Sequence, residues 1–159
     1  MPAYFFDTSA LKHRYISTSL TTRIRRLVSN RNSKVFVSDL TVVELASGFA
    51  DYCIERGLSQ DRFDSMYRSF FRDLATGRIT VRESTRRDFE KARQLLRFAR
   101  VIIRRHLKSA DAIIAASCRE LAYEKKMPLV FYLCDKRLHA TLQVIGAYST
   151  VVKLRYVQP

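Results

Sequence analysis

Glycine and proline are scarce in this chain, with four and three among 159 residues. So few helix and strand breakers exclude a disordered or low-complexity tail. They favour a packed domain rich in regular structure, and the length fits one domain over residues 1–159 with a real core. Cysteine is scarce too: Cys53, Cys118 and Cys134 are odd in number, far apart and without C-x-x-C spacing. That excludes a disulfide scaffold and leaves reduced, buried thiols in a cytoplasmic protein as the expectation. His13, His106 and His139 lack the spacing of zinc ligands. No apolar run reaches membrane-span length, and the first residues lack the pattern of an export signal, so no membrane partner is expected.

Negative charge is the other shortage. Fifteen Asp and Glu stand against 29 Lys and Arg, for a net charge of +14 and a pI near 10.2. A surface of this sign attracts polyanions, whether RNA, DNA or an acidic protein.

What is present alternates. Residues 2–6 read as a buried strand, 8–30 as one or two helices and 34–38 as a second strand. Helices over 40–56 and 59–76 stop at Gly57 and Gly77, the expected punctuation. A short strand over 78–83 precedes a long helix over 84–106 and another over 109–126. The segment "LVFYLC", 129–134, is strongly strand-like, 136–145 is helical, and 149–157 supplies one or two terminal strands. Strand alternating with helix predicts an α/β fold, its parallel sheet covered on both faces.

Two helices have informative faces. Over 84–106, a turn of about 100° per residue aligns Phe89, Ala92, Leu96, Ala99 and Ile103 as a core stripe. Arg86, Arg93, Arg97, Arg100 and Arg104 fall beside it as a ridge, either a solvated face or a surface for RNA phosphates. Over 59–76, Phe63, Met66, Tyr67, Phe70, Phe71 and Leu74 form a stripe broader than one buried face needs. It reads as core, with a groove for another chain as the alternative.

The acids hold special places. Asp7 ends the first strand and opens a helix, as Asp135 does after "LVFYLC". Glu44 lies one turn into the helix after strand two, and Asp111 in the first turn of its helix. Each singly fits a structural role: Asp7 and Asp135 as N-caps, Thr41-x-x-Glu44 as a capping box, Asp111 at a helix dipole with Ser109 as cap. Together they point to the carboxyl edge of a parallel sheet, where ligands bind. Four carboxylates there would repel one another unless cations or raised pKa values relieve them. Hard divalent ions, Mg²⁺ or Mn²⁺, prefer such oxygen ligands, and a pair of them can clamp a phosphodiester.

In this order "FFDTSAL", "SDLTVVEL", "SADAIIAASC" and "LVFYLCDKRL" resemble the PIN-domain ribonucleases, and more narrowly the VapC-type toxins of toxin–antitoxin pairs, over essentially the whole chain. The resemblance implies a five-stranded parallel sheet with an acidic site at its carboxyl edge. It implies that Asp7, Glu44, Asp111 and Asp135 hold one or two Mg²⁺ or Mn²⁺ ions, with Thr8 or Ser9 as the supporting hydroxyl. The implied chemistry is metal-dependent endonucleolytic hydrolysis of RNA, leaving a 3′-hydroxyl and a 5′-phosphate. The implied partner is an antitoxin whose tail covers the site; a homodimer is left open. The rivals are a PIN nuclease in RNA processing without an antitoxin and a metal-free RNA-binding module. Leu133 departs from the Thr or Ser common two positions before the last acid, so a supporting polar contact there is either absent or supplied from elsewhere. "AYEKKMP" reads as a longer loop, and "KLRYVQP" as less regular than the usual final strand.

Overall fold

The first strand carries no charge, and its side chains divide between two cores, Ala3 and Phe5 in one and Phe6 in the other. A strand buried on both faces must be covered by helices on both sides. The computed structural model, which describes residues 1–145, 148 and 152–158, has that architecture. Strands β1 (Ala3–Phe6), β2 (Lys34–Ser38), β3 (Thr80–Arg82), β4 (Leu129–Leu133) and β5 (Val152–Tyr156) form one parallel sheet in the order β3-β2-β1-β4-β5. At its centre, Tyr4 lies opposite Val35 on one side and Val130 on the other. The helices are α1 (Thr8–Leu11), continued by a 3-10 turn at Lys12–Arg14, α2 (Thr21–Ser29), α3 (Asp39–Arg56), α4 (Gln60–Ala75), α5 (Arg86–Arg97), α6 (Ser109–Lys125) and α7 (Lys136–Val144). This is the expected α/β domain with a five-stranded parallel sheet.

One core joins Phe5 and Phe131 to Ala92 and Leu95 of α5, Ile114 of α6 and Leu142 of α7. The other joins Phe6, stacked on Tyr132 at 5.1 Å, to Leu11, Ile24, Phe49 and Phe70 from α1–α4. Each large side chain so buried stabilises the fold by about 1.5–3 kcal/mol. Gly57 and Gly77 take φ of 59° and 66°, the left-handed conformation that closes α3 and the turn after α4. Lys126 does the same for α6 without a glycine, at φ 49°.

Five expectations are corrected. The long helix ends at Arg97, passes through a π-turn at Phe98–Ile102 and breaks at Arg104, whose φ is 51°. Val101, Ile102 and Ile103 are consecutive β-branched residues with poor helix propensity, which accounts for the early stop. Its buried face is Asp88, Ala92, Leu95 and Ala99, while Phe89 is 46% exposed and Leu96 and Ile103 are half-buried. The rotation follows from Asp88, which closes a capping box with Thr85 and pairs with the buried Arg82. Most of "AYEKKMP" is helix, not loop, because α6 runs to Lys125. "KLRYVQP" contains a regular strand, with Leu154 opposite Phe131; the start of the expected terminal strand, 149–151, lies outside the described residues. On α4, Met66 and Phe70 are buried, whereas Tyr67 and Phe71 meet at a tilt with ring centroids 4.7 Å apart and stay 38% and 41% exposed.

Candidate functional site

The chain runs from β1 through β2 to β3 on one side, then returns to place β4 and β5 on the other. Connections leaving β1 and β4 therefore diverge, opening a crevice at the carboxyl ends of the two central strands. Phe6 and Leu133 anchor those ends by complete burial. The next acids after them, Asp7 and Asp135, flank the crevice. Glu44 arrives from α3, the helix after β2, and Asp111 from the first turn of α6.

Hydroxyls hold two of these acids. The Ser9 N–H donates to Asp7 Oδ2 at 3.0 Å and the Ser9 hydroxyl donates to the same oxygen. Ser9 Oγ in turn accepts from the Cys134 N–H at 2.9 Å, tying the ends of β1 and β4 together. The Asp7 N–H continues the tie to the Tyr132 carbonyl at 2.9 Å. Thr8 donates to Glu44 Oε2 at 2.5 Å, linking α1 to α3. Asp135 Oδ1 accepts from the N–H groups of Arg137 and Leu138 at 2.7 and 2.9 Å and so caps α7. Beside Leu133, Ser9 makes a polar tie to the Cys134 N–H, whereas Asp135 itself is held by the N–H groups of Arg137 and Leu138.

The electrostatics reflect crowding. Burial pushes the Asp7 carboxyl up from its ordinary value; the Ser9 hydrogen bonds oppose this, and the Glu44 charge adds to it. Burial pushes Asp111 up to about 7; Asp7 adds to the rise, Lys108 opposes it, and Asp135 and Glu44 add further. Asp7, Glu44 and Asp135 thus all lie within electrostatic reach of Asp111, and Glu44 within reach of Asp7. Burial and Asp7 push the Cys134 thiol up to about 12 against Lys12 and Arg23, which places those two cations near the same end of the crevice.

Of the structural roles considered for the acids, Asp7 and Asp135 are N-caps. The capping box at Thr41 does not form. Ser38 is the N-cap of α3, Thr41 is buried without a partner for its hydroxyl, and Glu44 is engaged by Thr8. Nor does Ser109 cap α6; Lys108 occupies that position. Lys108 is the cation that the motif reading overlooked, although it stands only three residues before Asp111. Among the described residues no group of three or more His, Cys, Asp or Glu side chains is placed to hold a metal ion. Asp7, Glu44 and Asp135 are each turned toward the hydroxyl or amide that holds them. The donor set still suits a hard cation: it is all oxygen, and burial first and then the neighbouring acids make Asp111 reluctant to ionise. Elsewhere, Arg93, Arg97 and Arg100 are exposed along α5 and its π-turn, and Arg104, also exposed, lies beyond the helix.

Fold and site together define an α/β domain with an acidic crevice at the switch point of a parallel sheet. The model of the PIN domain matches residues 4–141, and the chain belongs to that family. Its fold is shared with VapC20 from Mycobacterium tuberculosis, described as a sarcin–ricin loop cleaving toxin, at 16% identity over 98% of this chain and 99% of that one, with a TM-score of 0.63. FitAcB from Neisseria gonorrhoeae aligns at 17% identity over 94% and 96% of the two chains, with a TM-score of 0.64. VapBC-5 from Mycobacterium tuberculosis, of the VapBC family of toxin–antitoxin systems, aligns at 17% identity over 99% and 100%, with a TM-score of 0.62. No curated protein matches the chain in sequence.

Proposed function

We propose that this chain is a divalent-metal-dependent endoribonuclease, the VapC-like toxin of a toxin–antitoxin pair. The observation that carries the reading is the delivery of four carboxylates, from four separate elements, to one crevice at the switch point of a PIN-family sheet. Asp7, Glu44, Asp111 and Asp135 are the residues that would hold one or two Mg²⁺ or Mn²⁺ ions. Such an ion, when bound, supplies Lewis-acid polarisation of a phosphate and lowers the pKa of a water. The protein's own part is positioning. Ser9 fixes the rotamer of Asp7 and the spacing between β1 and β4, and Thr8 orients Glu44. Lys12, Arg23 and Lys108 flank the acids and can balance the charge of an RNA phosphate entering the crevice. Arg93, Arg97, Arg100 and Arg104 offer contacts to its backbone farther out.

Solved relatives of this fold occur as VapBC complexes, two of them described as bound to DNA, which supports an antitoxin as the protein partner. An inhibitory tail that placed an arginine among the four acids would satisfy their charge in place of a cation. Among the described residues no helix is long and apolar enough to cross a membrane; a cytoplasmic site of action is part of the proposal.

The test is RNA cleavage by the purified chain in Mg²⁺ or Mn²⁺. Cleavage is expected, it should stop on chelation, and a folded Asp7→Asn variant should lose it, because the amide still caps α1 but is a poorer ligand for a hard cation. Full cleavage by that variant would overturn the assignment.

A further inference from the structure

On the side of the molecule away from the acids, two hollows of ≈ 470 and ≈ 710 Å³ share Ser29, Thr76 and Arg78 in their walls and form one continuous cleft. The smaller lies between α2 and α4. The larger opens at the amino edge of the sheet, against Lys34 and Val35 at the start of β2 and Thr80 at the start of β3. The strands between this edge and the acidic crevice are three to five residues long. At a rise of about 3.3 Å per residue the two places are on the order of 15 Å apart.

The cleft is cationic by construction. Asp73 is the single acid in its walls, and it is already consumed: it takes two bonds from Arg14, at 2.5 and 2.8 Å, and one from the Tyr15 hydroxyl at 2.9 Å. The free charge is therefore that of Arg25, Arg62, Arg72 and Arg78, all exposed, extended by Arg31 and Lys34 in the larger hollow. Among the described residues none of these six has an acidic partner within ion-pair distance. Like charges held this close repel, so the arrangement favours a bound anion.

The walls also indicate which anion. Ser29, Ser65, Ser69 and Thr76 add hydroxyls to the walls, those of Ser69 and Thr76 donating to the carbonyls of Ser65 and Arg72 and keeping lone pairs to accept. The aromatic side chains are buried Tyr15, whose hydroxyl is spent on Asp73, and half-buried Phe36. Neither offers a platform on which a base could stack. Arginines and hydroxyls without stacking surfaces read phosphate and sugar, not bases. A protein partner would need accessible apolar or aromatic anchors at the centre of its interface, whereas the apolar side chains of these walls, Val28, Val35, Phe36, Met66 and Met127, are buried or half-buried.

We propose that this cleft, lined by Arg25, Arg62, Arg72 and Arg78 and continued to Arg31 and Lys34, is a second RNA site. It grips the phosphate backbone of a long or folded RNA remote from the bond held at the acids. The inference rests on the ribonuclease reading for its choice of polyanion. It makes the protein selective for RNA large enough to reach both edges of the sheet, without regard to sequence at the second contact.

The experiment uses the full chain carrying Asp7→Asn to prevent cleavage, with and without Arg62→Gln, Arg72→Gln and Arg78→Gln. All three arginines are exposed, so the fold should survive, and a thermal melt checks it. Binding is titrated against salt for a hairpin of about forty nucleotides and a single strand of about six, short enough to fill one site only. For the hairpin, the log–log salt slope should flatten by about 2–3, since each of the three lost backbone contacts removes roughly 0.7–0.9. For the short strand, affinity and slope should stay as they were. An unchanged hairpin slope overturns the second site, as does an equal loss for both RNAs. So does loss of polyglutamate binding with RNA binding intact, which would assign the cleft to an acidic protein. Cleavage by the chain with Asp7 restored separates the two readings. If it cleaves while the hairpin slope is unchanged, the second site alone fails; if it neither binds nor cleaves RNA, the ribonuclease reading fails with it.

Discussion

Burial and the surrounding acids push the Asp111 carboxyl up to about 7, against an ordinary value of 3.8. Its folded form thus holds a proton more tightly than the unfolded chain does. The folded state pays a growing penalty as pH rises from about 4 to about 7, and the penalty is complete above that. Asp111→Asn removes it. Without divalent ions, the variant should be more stable than the parent near pH 8 by about 1–2 kcal/mol, after discounting for solvent on the open side of the residue. Near pH 4 the two should be equal. Denaturant midpoints at the two pH values check this, and equal midpoints near pH 8 would mean that the crowding is not felt. In Mg²⁺ the order should narrow or reverse, because an ion that binds only the folded parent raises its melting temperature and not that of the variant. At this scale the sequence was informative about which acids matter: each follows a strand or opens a helix. It said nothing of Ser9 as the strut between Asp7 and Cys134, because that contact spans 125 residues.

Elements decide whether an acid is a cap or a ligand. By spacing alone, Thr41 and Glu44 satisfied a capping box, but α3 begins three residues earlier at Ser38 and leaves Glu44 to Thr8 of α1. Glu44→Gln keeps an oxygen for that hydroxyl, so the midpoint of unfolding should move by less than about 0.5 kcal/mol, as for surface substitutions. Mn²⁺ affinity, measured by calorimetry, should fall all the same; undiminished affinity would return Glu44 to a purely structural role. The rotation of α5 has a parallel cause. Arg82 at the end of β3 is buried, bonds Asp88 at 3.0 and 3.2 Å and reaches Glu124 of α6 at 2.7 Å. Asp88 must face it, and this turns Phe89 outward. Arg82→Ala strands a fully buried carboxylate and should cost about 3–5 kcal/mol, read as a lower denaturant midpoint at unchanged slope. The helical periodicity over 84–106 could not reveal this, because an aspartate on an apolar face has no signature until its partner strand is in place.

For the whole molecule, the net charge of +14 sets a field that draws in polyanions from any direction, and the fold divides it. Acids gather at the carboxyl edge of the sheet, and arginines line α5 and the amino-edge cleft. If the α5 face holds RNA, Arg97→Gln with Arg100→Gln should flatten the salt dependence of RNA binding by roughly 0.7 per lost single-strand contact. Turnover at saturating RNA should hold, since both residues lie outside the acidic crevice. A titration across salt on the Asp7→Asn background measures it, and an identical slope would leave α5 as a solvated face. Arg104 is not part of that pair, because its left-handed backbone carries it off the helix.

By itself the sequence determined the alternation of strands and helices, the double-sided burial of β1 and β4, and the places of Asp7, Glu44, Asp111 and Asp135 near helix starts. Those properties are local: side-chain periodicity, capping chemistry and the glycines at 57 and 77 act over one or two turns. The tertiary structure alone decided that β4 returns beside β1, so that Asp7 and Asp135 face one crevice, and that Arg82 rotates α5. It alone decided that Arg14 and Tyr15 engage Asp73 beneath four arginines that have no acidic partner among the described residues. Each of these depends on contacts between residues far apart in the chain, whose geometry is set by how helices pack on the two faces of the sheet and not by the spacing of residues along it.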